Sequence, residues 1–296
     1  MTCAKTDDVL GPISHFFISQ RLRLHYVDWG NETAPPLLLI HGGRDHCRTW
    51  DFVAEELRHD WHVIAPDLRG HGDSQWLSDG NYSLSCMIYD LAQLIHQQQL
   101  APVTIIGHSL GGNIAVRYSG IYPENVLKLV NIEGLGPSPA EMEMRSKTGF
   151  DVRMRDWIAA QRSAAGRSPR RYKSIEEAFE RMQKVNARLS PDKARHLTLH
   201  GVNQNEDGTY SWKFDPYISV SAADELPQTQ VERLWANVDC AVLLVYGSES
   251  WASNPAKDGR VRPFRNAKVE LIAGAGHWIH HDQPKAFVDV VKSFLG

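Results

Sequence analysis

Five residues, Gly107-His108-Ser109-Leu110-Gly111, constrain this chain more than any others. They spell G-x-S-x-G, after the apolar run Val103-Thr104-Ile105-Ile106 and before a helical run over 112–118. Strand, tight turn and helix are the setting in which two glycines let the backbone bend sharply and push a serine out of the sheet. The Ser109 hydroxyl then stands clear, and the N–H of Leu110 faces the same space. In that setting the pattern marks a nucleophilic serine.

The surrounding chain supplies the sheet. Short apolar runs at 15–18, 22–29, 36–41, 61–66, 103–107, 126–132, 241–247 and 268–272 alternate with helical segments. That alternation predicts an α/β fold, a mostly parallel eight-stranded sheet with helices on both faces. The first two runs, joined by Ser19-Gln20-Arg21, read as an antiparallel hairpin. The later ones are nearly continuous Val, Ile and Leu, as in strands buried on both faces. The alternation stops over 134–235, which is helical and holds half of the 32 Lys and Arg residues. There, Ser174-Ile175-Glu176-Glu177 is a capping box, Ser190-Pro191 starts a further helix, and 205–216 reads as a turn and a short extended piece. The predicted organisation is a core in two parts, 1–133 and 236–296, with an inserted helical cap, 134–235. The basic run from Arg167 to Lys173 reads as a solvated loop between helices.

Composition narrows the setting. A net charge of −3 gives no bias toward nucleic acid or an anionic membrane. No apolar run reaches the roughly 20 residues of a membrane span. The start, 1–11, has no apolar stretch and does not read as a secretory signal, so the matches to N-x-[ST] at Asn31 and Asn81 carry no weight. Cys3, Cys47, Cys86 and Cys240 are scattered, as reduced thiols of a cytoplasmic protein are.

A serine hydroxyl needs a base. Of 14 histidines, His277 stands on the Gly-rich loop Ala273-Gly274-Ala275-Gly276-His277-Trp278 just past the last strand, and it follows Ser109 in chain order. His280 and His281 read as structural. An oxyanion needs two donors. The N–H of Leu110 is one. The loop His41-Gly42-Gly43-Arg44 offers the other, assigned to Gly43 with Arg44 as the fallback. The run His41-Gly42-Gly43-Arg44-Asp45-His46 also partly matches H-x-H-x-D-H, the metal-binding run of another hydrolase fold. Gly43 takes the place of its middle ligand, and no metal site is predicted.

Together with Ala65-Pro66-Asp67-Leu68-Arg69-Gly70-His71-Gly72-Asp73-Ser74, these motifs resemble those of the α/β-hydrolase fold, over about 22–295 outside the cap. The resemblance implies a Ser–His–acid triad, no cofactor and a cap over the pocket. Ser109 separates the chain from the epoxide hydrolases and haloalkane dehalogenases of that fold, which use Asp there. The family usually keeps its acid as G-x-x-D after the seventh strand, and here that loop is Gly247-Ser248-Glu249-Ser250. Glu133, at the end of the sixth strand, is the preferred substitute. Glu249 is the alternative and Asp258 the third choice. The expected reaction is hydrolysis of a small-molecule carboxylic ester, under a cap where Met154, Trp157 and Trp212 could line the pocket. Thioester, amide and C–C bond hydrolysis use the same triad, and a non-catalytic ligand-binding protein of this fold is the reading from another class.

Overall fold

The computed structural model describes residues 11–220 and 226–296. The reading of 1–11, and Cys3, fall almost wholly outside them. Ten strands form among the described residues: β1 Ile13–Ser19, β2 Leu22–Asp28, β3 Pro36–Ile40, β4 His62–Pro66, β5 Val103–His108, β6 Val126–Ile132, β7 Val202–Gln204, β8 Tyr210–Trp212, β9 Ala241–Gly247 and β10 Ala267–Ile272. Eight build one sheet in the order β1-β2-β4-β3-β5-β6-β9-β10. Only β2 runs against its neighbours β1 and β4; every other pair in this sheet is parallel. The expected mostly parallel eight-stranded sheet is borne out.

Strand periodicity divides the core. Leu38 and Ile40 of β3 and Val103 and Ile105 of β5 face one layer, while Leu37, Leu39 and Ile106 face the other. On the first face lie helices Leu84–Gln97, Leu110–Ile121 and Gln228–Ala236, through residues such as Leu94, Ile114 and Trp235. On the second lie helices Asp51–Leu57 and Pro284–Leu295, through Val53, Leu57, Phe287 and Val291. Each fully buried side chain of this size contributes about 1.5–3 kcal/mol. No described helix is long and apolar enough to cross a membrane.

Between β6 and β9 the chain leaves the sheet for helices Pro139–Ser146, Phe150–Ala164, Ile175–Val185 and Pro191–Gly201 and the β7–β8 hairpin. Ser174 caps its helix by accepting from Glu177 N, and Glu177 Oε2 reaches back to Lys173 N rather than to Ser174 N. A complete capping box stands instead at Ser138 and Glu141. This region has small cores of its own, around Tyr172, Ala178 and Val202 and around Leu189, Ala194 and Leu197. Its last helix departs from the expected cap boundary. Val231 and Trp235 of Gln228–Ala236 pack in the main core, and the backbone beside Leu234 lies so close to Gly120 that a Cβ there would stand 2.1 Å from the Leu234 carbonyl oxygen.

Because its strands are parallel, the sheet gathers the C-terminal ends of β3, β5, β6, β9 and β10 on one rim. His41, Ser109, Glu133, Ser248 and the loop to His277 all follow those ends.

Candidate active site

The turn after β5 is held by close backbone packing. A Cβ on Gly107 would lie 2.7 Å from the Gly111 carbonyl oxygen, and one on Gly111 would lie 2.4 Å from that of Ile40. Both glycines therefore supply space, and the residue in an unusual conformation is the serine. Ser109 sits at φ 51°, ψ −114°, a backbone that costs a residue with a side chain of order 1–3 kcal/mol. Its N–H donates to Ile132 O at 2.8 Å, and its own carbonyl receives Asn113 N at 2.9 Å, so neighbouring structure holds the turn. Leu110 is the first residue of the helix that follows, and its N–H has no acceptor within that helix.

His277 is reached from two sides. Its Nδ1 lies 2.5 Å from Glu133 Oε2, and its carbonyl oxygen accepts from His108 Nε2 at 2.9 Å. The His108 and His277 rings are 4.7 Å apart, and the Trp251 ring lies at the same distance from His277. Glu133 is buried and adopts φ 48°, a second left-handed residue at a strand end. Its Oε1 receives Gly247 N at 2.8 Å, and its Oε2 receives Ser250 Oγ at 2.6 Å. Glu133 is thus brought to His277. Glu249 is not: it is exposed and paired with Arg188. Asp258 is taken up by Ser253 Oγ at 2.7 Å and Arg260 Nε at 2.9 Å.

The loop after β3 approaches the same turn. A Cβ on Gly42 would meet His108 Nδ1 at 2.8 Å and Ser109 Cβ at 3.3 Å, and one on Gly43 would lie 3.8 Å from Leu110 Cδ2. The two expected oxyanion donors, Gly43 and Leu110, are therefore neighbours. Asp67 clamps the base of this loop. Its carboxylate accepts Cys47 N at 2.7 Å, Asp73 N at 2.9 Å and His25 Nδ1 at 2.7 Å. Burial alone would raise its pKa, but the hydrogen bonds from His25 and from the backbone of Asp73 prevail and hold it well below the usual carboxylate range.

The histidines of the metal-like run are occupied by backbone. His41 Nδ1 donates to Gly42 O at 2.6 Å while its Nε2 accepts from Leu68 N at 3.0 Å, and burial keeps the ring neutral, with a pKa lowered to about 3. His46 Nε2 donates to Leu197 O at 3.0 Å. Asp45 lies instead beside His108 and His280, all buried, with donor atoms within 4.8 Å of one another. Two further groups with metal-ligand chemistry are His25–Cys47–Asp67 and Asp51–His196–His200. His280 stacks on Trp50 at 4.5 Å, and His281 Nε2 meets Thr49 Oγ1 at 2.8 Å, so both pack behind the rim.

One cavity opens at the turn and a second lies beside the loop after β3. The first, of about 650 Å³, is lined by Ser109 and Glu133, by Met87, Leu110, Tyr246 and Trp251, and by the charged residues Arg117, Glu141, Arg145 and Arg260. The other, of about 850 Å³, is lined by Gly43, Arg44, Trp212 and Trp278 and by cap residues. Met154 and Trp157 line neither. Sequence reasoning missed His108 and Trp251 as neighbours of His277, and Ser250 as a partner of Glu133. For Ser250 a signal existed, since it stands where the fold usually keeps its acid.

Residues 37–290 match the model of a family described as the Alpha/beta hydrolase family. "Serine hydrolase-like protein" of Danio rerio is 27% identical over 274 residues, covering 90% of this chain and 83% of that protein. "Esterase YbfF" of Escherichia coli (strain K12) is 26% identical over 271 residues, covering 88% and 92%. Among solved structures, a thioesterase domain from the curacin biosynthetic pathway superimposes with a TM-score of 0.83 at 22% identity, covering 96% of this chain and 100% of that one.

Proposed function

The chain belongs to the alpha/beta hydrolase family, and we propose that it is a serine hydrolase that cleaves carboxylic esters through an acyl-enzyme. The reading rests on one observation above others: His277 Nδ1 is 2.5 Å from a buried carboxylate, Glu133, on the rim where Ser109 stands out of the sheet. With Nδ1–H donated to Glu133, Nε2 is the ring nitrogen left to take a proton. Relatives named as esterases add weight to the reaction class.

In this mechanism Ser109 Oγ attacks the ester carbonyl as His277 Nε2 takes its proton. The Gly43 and Leu110 N–H groups receive the oxyanion of the tetrahedral intermediate. Glu133 holds the imidazole in the required tautomer and stabilises the imidazolium. His277 then protonates the leaving alkoxide, and the acyl group remains on Ser109. Water, deprotonated by the same nitrogen, attacks the acyl-enzyme, and the collapse of the second intermediate returns the proton to Ser109. No step requires a cofactor. The three described cysteines are free thiols, which supports a cytoplasmic setting.

A panel of p-nitrophenyl esters of increasing chain length, with fluorophosphonate labelling, tests the reading. Turnover, and labelling that Ser109→Ala removes, are expected. Silence on every ester with no labelling would mean a non-catalytic protein of this fold.

A further inference from the structure

The basic run read as a solvated loop is an exposed loop, and two of its arginines also border a cavity. Arg167 and Arg170 line the 850 Å³ cavity that Gly43 borders, and Arg44 and Arg181 join them there. Among the described residues lining it there is no Asp or Glu. Three other cations of the cap are each paired with a carboxylate: Arg171 with Asp207, Arg188 with Glu249 and Lys213 with Asp73. The four cleft arginines have no carboxylate partner among the described residues. Arg44 Nη2 donates to Ser219 Oγ at 3.1 Å and Arg167 Nη2 to Ser163 Oγ at 2.5 Å, while the Arg170 guanidinium lies 5.2 Å from the Tyr172 ring centroid.

Two physical consequences follow. A cleft walled by one sign of charge focuses its field and concentrates counter-ions of the opposite sign. Guanidinium groups are also the forks that carboxylates and phosphates fit in two-point fashion. Arg44 adds a third observation. It holds a long side chain at φ 62°, a backbone conformation uncommon outside glycine, directly after the proposed oxyanion donor. The second cavity, which Ser109 borders, contrasts with this one in carrying both signs of charge: Glu133 and Glu141 stand in its lining with Arg117, Arg145 and Arg260, beside Met87, Leu110 and Trp251. The two border one another where Gly43 meets Leu110.

We propose that the substrate is an ester or thioester with an anionic group, phosphate or carboxylate, on the arm held in the arginine cleft, which places its scissile carbonyl at Ser109. The proposal rests on the serine hydrolase reading. It names the substrate class for that site.

The test compares matched substrates on the wild-type protein and on Arg170→Ala/Arg181→Ala, both exposed positions. Hexanoyl-coenzyme A is set against the neutral hexanoyl-N-acetylcysteamine thioester, and mono-p-nitrophenyl adipate against neutral p-nitrophenyl hexanoate. We expect kcat/KM to favour one anionic member by roughly tenfold or more, and the double variant to collapse that ratio chiefly through KM. Preference for the coenzyme A thioester identifies phosphate, and preference for the adipate identifies carboxylate. Equal kcat/KM within both pairs overturns the proposal while leaving the hydrolase reading intact. Calorimetric titration of coenzyme A and of adipate into Ser109→Ala supplies a readout without turnover. Binding that weakens in high salt and in the arginine variant supports the cleft even if no ester is cleaved, and binding of neither anion overturns it.

Discussion

His277 Nδ1 and Ser250 Oγ converge on one oxygen, Glu133 Oε2, at 2.5 and 2.6 Å. The carboxylate's other oxygen is fixed by Gly247 N at 2.8 Å. An amide at position 133 could keep its contacts only by presenting NH2 to one partner, which disfavours the tautomer with a proton on Nδ1. Glu133→Gln should therefore lower kcat by roughly 10³–10⁴-fold, with the far-ultraviolet circular dichroism spectrum unchanged. Glu249→Gln, which removes only a surface ion pair with Arg188, should stay within about twofold because exposed pairs are worth little. The reverse pattern in steady-state assays would move the acid to Glu249.

Ser109 pays for its exposure in backbone strain, and that strain can be separated from its chemistry. Both Ser109→Ala and Ser109→Gly should abolish turnover and fluorophosphonate labelling. Only glycine tolerates φ 51° freely, so Ser109→Gly should be more stable than Ser109→Ala by about 1 kcal/mol, or about 2 °C in Tm. Differential scanning calorimetry of the two inactive proteins measures the difference. Equal midpoints would mean that the turn holds no strain at this residue.

Close packing at the next glycine makes the opposite kind of prediction. A methyl at Gly111 would meet the carbonyl oxygens of Ile40 and His41 at 2.4 and 2.5 Å. Both belong to the backbone of β3 and its exit, which cannot rotate away. Gly111→Ala should cost roughly 1–3 kcal/mol as overpacking does and pull the oxyanion loop from the turn. A lowered urea midpoint together with reduced kcat is the expected pair of results. A variant with wild-type stability would show that the two segments are not in this contact.

Much of this architecture was legible because local and global preferences agree. The inner strands announce themselves as Val, Ile and Leu runs, and the alternation of Leu37 with Leu38 matches the two core layers they join. Ser109 and His277 were legible from glycines that mark strand exits. What decides between Glu133 and Glu249 is long-range. Arg188 arrives from the cap to occupy Glu249, and the loop carrying Ser250 folds back across 117 residues to meet Glu133. No window of sequence contains both partners. The same holds for Arg167 and Arg170, whose exposed loop shares a cavity lining with Arg44 from the far end of the chain. Val231 and Trp235 lay beyond the reading for a different reason, since an amphipathic helix looks alike whether its apolar face meets a cap or a sheet.

Buried histidines should make the protein lose stability in mild acid. Burial lowers His41 to about 3 and His71 to about 4, and it drives His108, His280 and His281 well below the ordinary value. The unfolded chain binds a proton at each near pH 6.5, so between that pH and the folded values it holds more protons than the native state. Stability is then fully present above about pH 6.5 and falls as pH drops, by up to about 1.4 kcal/mol per pH unit for each such histidine. Urea midpoints taken from pH 7.5 to pH 5 should decline before carboxylates begin to titrate. A flat profile over that range would show that these rings take up protons without cost.

Ser250 offers a way to move the triad acid. It stands where relatives of this fold usually keep Asp, and its Oγ already lies 2.6 Å from the oxygen that His277 uses. Ser250→Asp alone would bring two carboxylates to one imidazole. Like charges at that distance raise the pKa of one of them, so this variant should lose activity and fold less stably. In Glu133→Gln/Ser250→Asp the repulsion is gone, and the aspartate can accept the Nδ1 proton from the loop after β9. The double variant should recover roughly 10-fold or more of the kcat lost by Glu133→Gln, a non-additive result typical of residues that act as one unit. Rates for the four proteins on one p-nitrophenyl ester complete the cycle. A double variant no faster than Glu133→Gln would show that His277 can be oriented only from the end of β6.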